Sequence, residues 1–245
     1  MLQAQNISLT VPGKSLCTDL SVTMRSGECW AILGQNGSGK TTFLHALSGL
    51  IKPEHGEVLL HSTPLKAFSR HALAQQIGVL LQEEDSAPFG TVREYVSMGR
   101  FPHGAGKRSQ QPEDVKITDA AIAQMALSDL EQRQMRSLSG GERQRARIAM
   151  LLAQSPQVYC LDEPLLHLDV RHQIATMQWL RDLALNQQKI VLMVLHDPVW
   201  ASRYCDHVIL LYDEKNVVAG ACQNLLTRAA LEKLYQCSLD HLAPD

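Results

Sequence analysis

The segment Gly34-Gln35-Asn36-Gly37-Ser38-Gly39-Lys40-Thr41 constrains this chain more than any other. It satisfies the pattern G-x-x-x-x-G-K-[ST] at every fixed position, and it lies between the apolar run Cys29-Trp30-Ala31-Ile32-Leu33 and a helix-like segment beginning at Lys40. Strand, glycine loop and helix in that order form a phosphate cradle. The glycines let backbone N–H groups converge on an anion, and the helix start adds its partial positive charge. Lys40 is placed to reach the β- and γ-phosphates and the Thr41 hydroxyl to ligate Mg²⁺, with Gly34, Asn36, Gly37, Ser38, Gly39 and Thr42 completing the nucleotide-binding segment.

Upstream, Ile7, Leu9 and Val11 alternate with polar residues, Pro12-Gly13 reads as a turn, and Leu20, Val22 and Met24 alternate again. This predicts two half-buried antiparallel strands. After the cradle, Phe43, Leu44, Leu47 and Leu50 recur at helical spacing until Gly49 and Pro53 end the helix. Short strands are predicted near 57–60 and 77–81, with a helix between them, the second ending at Gln82. From 83 to about 157 strand-like runs vanish. Thr91-Val92-Arg93-Glu94 reads as a capping box opening a helix, 99–112 as a loop, 114–126 as an Ala-rich helix, and Leu138-Ser139-Gly140-Gly141-Glu142 as the start of a long helix. The apolar strand Val158 to Leu161 then runs into Asp162-Glu163. A helix over about 168–186 carries Leu168, Ile174, Met177, Leu180 and Leu183 mostly on one face, strand 190–195 ends at His196, and 207–219 reads as a hairpin.

Alternating strands and helices predict an α/β fold with a mostly parallel sheet and ligands at the carboxyl ends of its strands. Gly34, Gln82, Asp162 and His196 all fall at such ends. Asp162 is placed to organise a metal shell, Glu163 to orient or deprotonate an attacking water, Gln82 to ligand Mg²⁺ or hold water, and His196 to contact a γ-phosphate. Ser139-Gly140-Gly141 repeats the logic of the first loop, a small hydroxyl and bare N–H groups at a helix start. A helix end contributes about 0.3–2 kcal/mol to anion binding, whereas micromolar to millimolar nucleotide affinity needs roughly 4–8 kcal/mol. Lys40, Mg²⁺ and several backbone donors therefore have to act together.

Composition sets outer limits. With 245 residues, 45% hydrophobic and 20% charged, the chain can bury a sizeable core in about one domain, and a net charge of −2 argues against a broad grip on nucleic acid. No apolar run is long enough to span a bilayer and no signal-peptide pattern opens the chain. Cysteines at 17, 29, 160, 205, 222 and 237 form no C-x-x-C pair, which predicts free thiols in a reducing cytosol and no structural metal.

Taken in order, Gly34 to Thr41, Gln82, Leu138 to Glu142, Leu161-Asp162-Glu163, Leu168-Asp169 and His196 resemble the Walker A, Q-loop, signature, Walker B, D-loop and switch-histidine motifs of ABC-transporter ATPases. The resemblance covers nearly the whole chain. It implies a single P-loop NTPase domain over 1–245, with a catalytic core of 1–82 and 158–245, an N-terminal antiparallel β region, and an inserted helical lobe over about 83–157. It also implies a head-to-tail homodimer holding two ATP molecules, each between the Walker A of one subunit and Ser139, Gly140, Gly141 and Glu142 of the other. Glu163 is then the catalytic carboxylate, His196 the γ-phosphate sensor, and Gln82 the link between Mg²⁺ and the helical lobe.

Gly99-Arg100-Phe101-Pro102-His103, Ser139 through Arg145 with Ala149-Met150, and Leu226-Thr227 through Leu234-Tyr235 resemble cassettes of importers of iron chelates, haem or cobalamin. This implies integral membrane permease partners, a periplasmic or surface solute-binding protein, and a peripheral position on the cytoplasmic face of the cell membrane. A soluble ABC ATPase and an exporter cassette are the alternatives. Three positions depart from the pattern: Val11 where an aromatic often stacks on adenine, Glu142 for the commoner glutamine, and Leu165-Leu166 where small hydroxyl residues are usual.

Overall fold

The structure is a computed structural model that describes residues 1–11, 14–82, 89–104, 111–212 and 216–238. Along the chain run β1 (Leu2–Val11), β2 (Lys14–Met24), β3 (Cys29–Gly34), α1 (Lys40–Leu47), β4 (His55–Leu60), β5 (Thr63–Pro64), α2 (Arg70–Gln76) and β6 (Ile77–Leu80). Next come α3 (Val92–Ser97), α4 (Pro112–Gln124), α5 (Gly140–Gln154), β7 (Val158–Asp162) and α6 (Val170–Gln187). The remaining elements are β8 (Ile190–Val194), α7 (Pro198–Tyr204), β9 (His207–Leu211), β10 (Val217–Ala221), α8 (Cys222–Leu225) and α9 (Arg228–Tyr235). Met1–Ala67 with Met177–Asp245 form one compact unit and Phe68–Thr176 another.

In the first unit, β2-β1-β4-β5 make an antiparallel sheet. Ile7 and Leu9 are buried as their alternation predicts. The register slips between Ala4 and Ile7, at Asn6, and again between Ile7 and Leu9, opposite Asp19; both residues adopt positive φ and the Asn6 amide donates to the Asp19 carboxylate at 2.7 Å. Short polar side chains tolerate that backbone, so the bulge falls on them. The predicted Pro12-Gly13 turn lies outside the described residues.

The same unit holds β3 between two parallel neighbours, β8 and β9, with β10 antiparallel on β9. Every residue of β3 and β8 is buried. That is why both read as unbroken apolar runs rather than alternating ones. Each fully buried Ile or Leu here contributes about 1.5–3 kcal/mol through its burial. In α1, Phe43, Leu44 and Leu47 are buried, but the helix stops at Leu47 and Gly49 takes φ 79°, so Leu50 lies beyond the periodic face and is exposed. Ile174 on α6 is likewise exposed, whereas Met177, Leu180 and Leu183 are buried.

In the second unit β6 and β7 pair in parallel, Ile77 opposite Val158 and Leu80 opposite Leu161. Strand β6 stops at Leu80, two residues short of Gln82. Thr91 and Glu94 form the predicted capping box on α3. The segment read as a loop from residue 99 instead starts as a 3₁₀ helix over Met98–His103. A buried ion pair holds it: the Arg100 Nε donates to the Asp114 carboxylate at 2.7 Å and Nη1 to the Ala153 carbonyl at 2.8 Å. Gly99 lies so close to α5 that a Cβ there would sit 2.2 Å from the Met150 carbonyl oxygen. Residues 105–110 of the predicted loop lie outside the described residues, as does the 213–215 tip of the β9–β10 hairpin.

Candidate functional site

The first unit carries the glycine loop. Strand β3 delivers Gly34, the chain turns through Gly37 at φ 76° and Gly39 at φ 95°, and α1 starts at Lys40. Gly39 occupies the N-cap position and has no side chain to cap the helix, so first-turn N–H groups stay available to a ligand. Among the described residues a Cβ on Gly37 would meet nothing within 4 Å, whereas one on Gly39 would come within 2.5 Å of Leu16. The loop is open on one side and pressed on the domain on the other. Lys40 is buried, and its ammonium donates to the carbonyls of Gly34 and Gln35, each at 3.0 Å. The buried Ser38 Oγ has no hydrogen-bond partner among the described residues. A buried ammonium and an unsatisfied hydroxyl beside uncapped N–H groups fit an oxyanion, which can accept from all of them. Thr41 and Thr42 follow, half-buried, on the first turn of α1.

His196 follows β8 as β3 leads to Gly34, and the parallel register pairs Ile32 with Val194, so both residues lie at the same strand ends of this unit. The His196 side chain is exposed. Its carbonyl accepts from the Tyr235 hydroxyl at 3.1 Å, and the adjacent Leu234 carbonyl accepts from the Gln35 amide at 3.1 Å. Tyr235 belongs to the importer-like stretch and Gln35 to the glycine loop, but neither side chain has a role legible in the sequence, since hydrogen bonds to main-chain atoms 39 and 199 residues away leave no local pattern.

The second unit holds the other candidates. Asp162 ends β7 and is 1% exposed, Glu163 follows at φ 50° and is half-buried, and Gln82 is exposed two residues past β6. Ser139 is the N-cap of α5. Glu142 returns its carboxylate to the Ser139 N–H at 2.8 Å and to its hydroxyl at 2.9 Å, while the Glu142 N–H donates to Ser139 Oγ at 3.3 Å. The hydroxyl expected to face an anion is thus already engaged in a capping box. The Ser139 N–H above all, with the hydroxyl and nearby arginines, holds the Glu142 carboxyl below the usual carboxylate range.

Beside this helix start opens a cleft of about 560 Å³, lined by Ser139 to Glu142, Arg145 and His167 to Asp169 with His172. His167, at φ 61°, packs its ring against Gly140, where a Cβ would come within 3.2 Å, and its carbonyl against Gly141, where a Cβ would come within 2.9 Å. A side chain at Gly141 would clash with main chain, while one at Gly140 would have to push the His167 ring aside. Asp169 caps the start of α6, accepting from the His172 N–H and ring Nδ1 at 2.9 Å each, and those contacts lower its pKa. Among the described residues, three or more metal-binding side chains do not cluster, and no helix is long and apolar enough to cross a membrane.

Residues 17–166 match the ABC transporter family. The chain belongs to that family. Its curated relatives include the cobalamin import ATP-binding protein BtuD of Halobacterium salinarum, 37% identical over 92% of this chain. The chain spans about half the length of that relative, 56%. The hemin import ATP-binding protein HmuV of Escherichia coli O157:H7 is 38% identical over 96% of this chain and 92% of its own length. Among solved structures, a metal-chelate type ABC transporter in an inward-facing conformation superposes on this ABC cassette with a TM-score of 0.81 at 28% identity, over 95% of this chain and 88% of that one. A dimeric ATP-binding cassette in a post-hydrolysis state with ADP and phosphate gives 0.79 at 25% identity, over 91% and 99%. The α/β fold with an N-terminal antiparallel sheet and a parallel-rich second sheet is therefore that of ABC cassettes.

Proposed function

We propose that this cassette hydrolyses ATP as the energising subunit of a membrane importer for an iron chelate, haem or cobalamin. The observation that supports nucleotide binding most directly is the uncapped start of α1, with Lys40 and the unsatisfied Ser38 hydroxyl beside it. Import rests on kinship, because the relatives named above are import proteins for cobalamin and hemin. The metal-chelate type of the similar transporter points the same way.

In this reading Gly34, Asn36, Gly37, Ser38, Gly39, Lys40, Thr41 and Thr42 bind the phosphates of ATP. Thr41, Gln82 and Asp162 would hold Mg²⁺, a hard cation that suits a hydroxyl, an amide oxygen and a carboxylate, and which would supply positive charge against the phosphates. Glu163 orients and accepts a proton from the attacking water, and His196 donates to the γ-phosphate. Ser139, Gly140, Gly141 and Glu142 act on the ATP of a second copy, so the working unit is a homodimer. Residues 1–82 and 158–245 work as the catalytic core and 83–157 as a lobe that moves against the permease. The cassette sits at the cytoplasmic face of the membrane with permease subunits and a solute-binding protein.

Phosphate release from Mg·ATP, compared between the parent chain, Glu163→Gln and Lys40→Ala, tests the chemistry. Glu163→Gln is expected to bind nucleotide without turnover and to accumulate as a dimer, and Lys40→Ala to lose affinity. Turnover by Glu163→Gln at the parent rate overturns the assignment. Affinity isolation from membranes, followed by uptake of ferric siderophore, haem and cobalamin, tests the transport role.

A further inference from the structure

We propose that Gln144 and Arg147, one turn apart on α5, are positioning residues that tie the main chain at Gln82 and Glu163 to the helix beginning at Ser139. The inference rests on the roles proposed above for Gln82 and Glu163. The two side chains form a continuous relay. Arg147 Nη2 donates to the carbonyl of Leu81 and, at 3.3 Å, to that of Gln82. Arg147 Nη1 donates to Gln144 Oε1 at 3.0 Å, and Gln144 Nε2 donates to the carbonyls of Glu163 and Pro164 at 3.3 and 3.1 Å.

The chemistry of this relay admits few substitutes. Both ends are carbonyls, which only accept, and a guanidinium only donates. A bridge from Arg147 to the Glu163 carbonyl needs a middle group that accepts on one side and donates on the other. A primary amide does that, and the Arg147 donor fixes which end of the Gln144 amide is oxygen. Gln144 is 3% exposed, so its hydrogen bonds are made in a site where they count more than in water. Residues three apart on a helix share a face, which brings both side chains to the same pair of strand ends.

What the relay holds is a strained backbone. Glu163 lies at φ 50° without being glycine, a conformation that persists when surrounding contacts over-determine it. Gln144 bonds its carbonyl and the next one. Arg147 does the same for Leu81 and Gln82, which lie past the end of β6 where ladder hydrogen bonds have stopped. A displacement of α5 is thereby passed to the carboxylate proposed for water activation and to the amide proposed for Mg²⁺ at once. Two loops that β-pairing leaves unsupported move as a set with the helix that faces the second copy.

The test uses steady-state phosphate release by the full-length chain, with the parent's turnover and the silence of Glu163→Gln establishing the underlying reading first. Arg147→Met keeps length and loses every donor. It is expected to lower kcat about tenfold with KM for ATP within about twofold, because the nucleotide cradle is untouched. Arg147→Lys, whose donors all sit on one nitrogen in place of the planar fork, is expected to recover part of the loss. Gln144→Glu removes the donor to Glu163 and Pro164 and is expected to match Arg147→Met. The double variant should lose little more than either single, since both break one relay. Amide exchange near 81–82 and 163–165 should rise in Arg147→Met, with α6 unchanged. An active parent together with independent, multiplying losses in the double variant, or kcat within about twofold of the parent in Arg147→Met, overturns the inference. If Arg147→Met does not fold, the Arg147→Lys and Gln144→Glu cycle decides by the same criterion.

Discussion

The Tyr235 hydroxyl donates to the main-chain oxygen of His196 at 3.1 Å, so α9 grips the chain two residues past β8. Gln35 of the glycine loop bonds the neighbouring Leu234 carbonyl, and the same helix end therefore fixes two strand ends of one unit. Tyr235→Phe removes the first tie alone. The expected loss of stability is about 1 kcal/mol. Phosphate release is expected to fall with KM for ATP unchanged, and an unaltered kcat would show that His196 needs no such support. Burial pushes the Tyr235 hydroxyl up to about 12, against about 10 in an unfolded chain. The folded pKa is raised, so its contribution is complete below pH 10 and is lost as pH rises through 12. Urea melts at pH 9 and 11 should show the parent losing more stability than Tyr235→Phe.

Gly37 and Gly39 make opposite predictions although both have positive φ. At Gly39 an added methyl would come within 2.5 Å of Leu16, so Gly39→Ala adds a clash to the backbone strain. It is expected to cost about 2–4 kcal/mol of stability. At Gly37 the methyl enters open space, and Gly37→Ala should cost only the strain of about 1 kcal/mol. Its larger effect should be on nucleotide affinity, because the methyl occupies the open side of the cradle. Equilibrium unfolding beside nucleotide titration separates the two, and equal unfolding free energies for both variants would refute the contrast.

Asp206 supplies the acid-side prediction. Burial pushes its carboxyl up, but the forked Arg181 guanidinium, the Cys29 N–H at 2.9 Å and nearby positive charge outweigh burial, and the net pKa falls below the ordinary value. A depressed folded pKa gives stability that is present above the unfolded value of about 4 and is lost as pH falls toward the folded one. Asp206→Asn is expected to cost about 1–3 kcal/mol at pH 7, with the gap to the parent narrowing as pH falls below the unfolded value of about 4. Chemical denaturation across that window checks the sign.

How far the sequence spoke depended on the range of the interaction. The capping box at Thr91 and Glu94 was readable because both partners fall within one turn. Ser139 and Glu142 carry the same spacing, yet at Glu142 the family pattern suggests only a replacement for glutamine, and its carboxylate occupies the Ser139 hydroxyl. The strands β3 and β8 were legible because burial on both faces leaves an unbroken apolar run. The relay through Gln144 and Arg147 was not, since it ends on carbonyls, which every residue has. The Met98–His103 turn was hidden for a related reason: glycine and proline there suggest a loop, while the groups that order it lie at Asp114 and Ala153.

Glu142→Gln follows from the engaged capping box. A glutamine oxygen still accepts from the Ser139 N–H, so the cap survives, but the negative charge at the start of α5 is gone. Helix stability should fall by about 0.3–1 kcal/mol, the usual value of a carboxylate at that end. An approaching phosphate would no longer meet that charge, and in the proposed dimer KM for ATP should fall about two- to fivefold. An unchanged KM would mean that Glu142 does not face nucleotide.

The buried pair of Arg100 and Asp114 gives the largest expected loss of stability. Both side chains are 9% exposed, and the Arg100 guanidinium also satisfies the Ala153 carbonyl near the end of α5. Removing one partner leaves a buried charge without its counter-ion, so Arg100→Ala is expected to cost about 3–5 kcal/mol. Replacing both with apolar residues of similar size, Arg100→Met with Asp114→Leu, should recover most of that loss, because neither charge then needs desolvating. Thermal unfolding of the three variants tests this. A double variant no more stable than Arg100→Ala would show that the hydrogen bond to Ala153, and with it the anchoring of the 98–103 turn on α5, matters more than the ion pair.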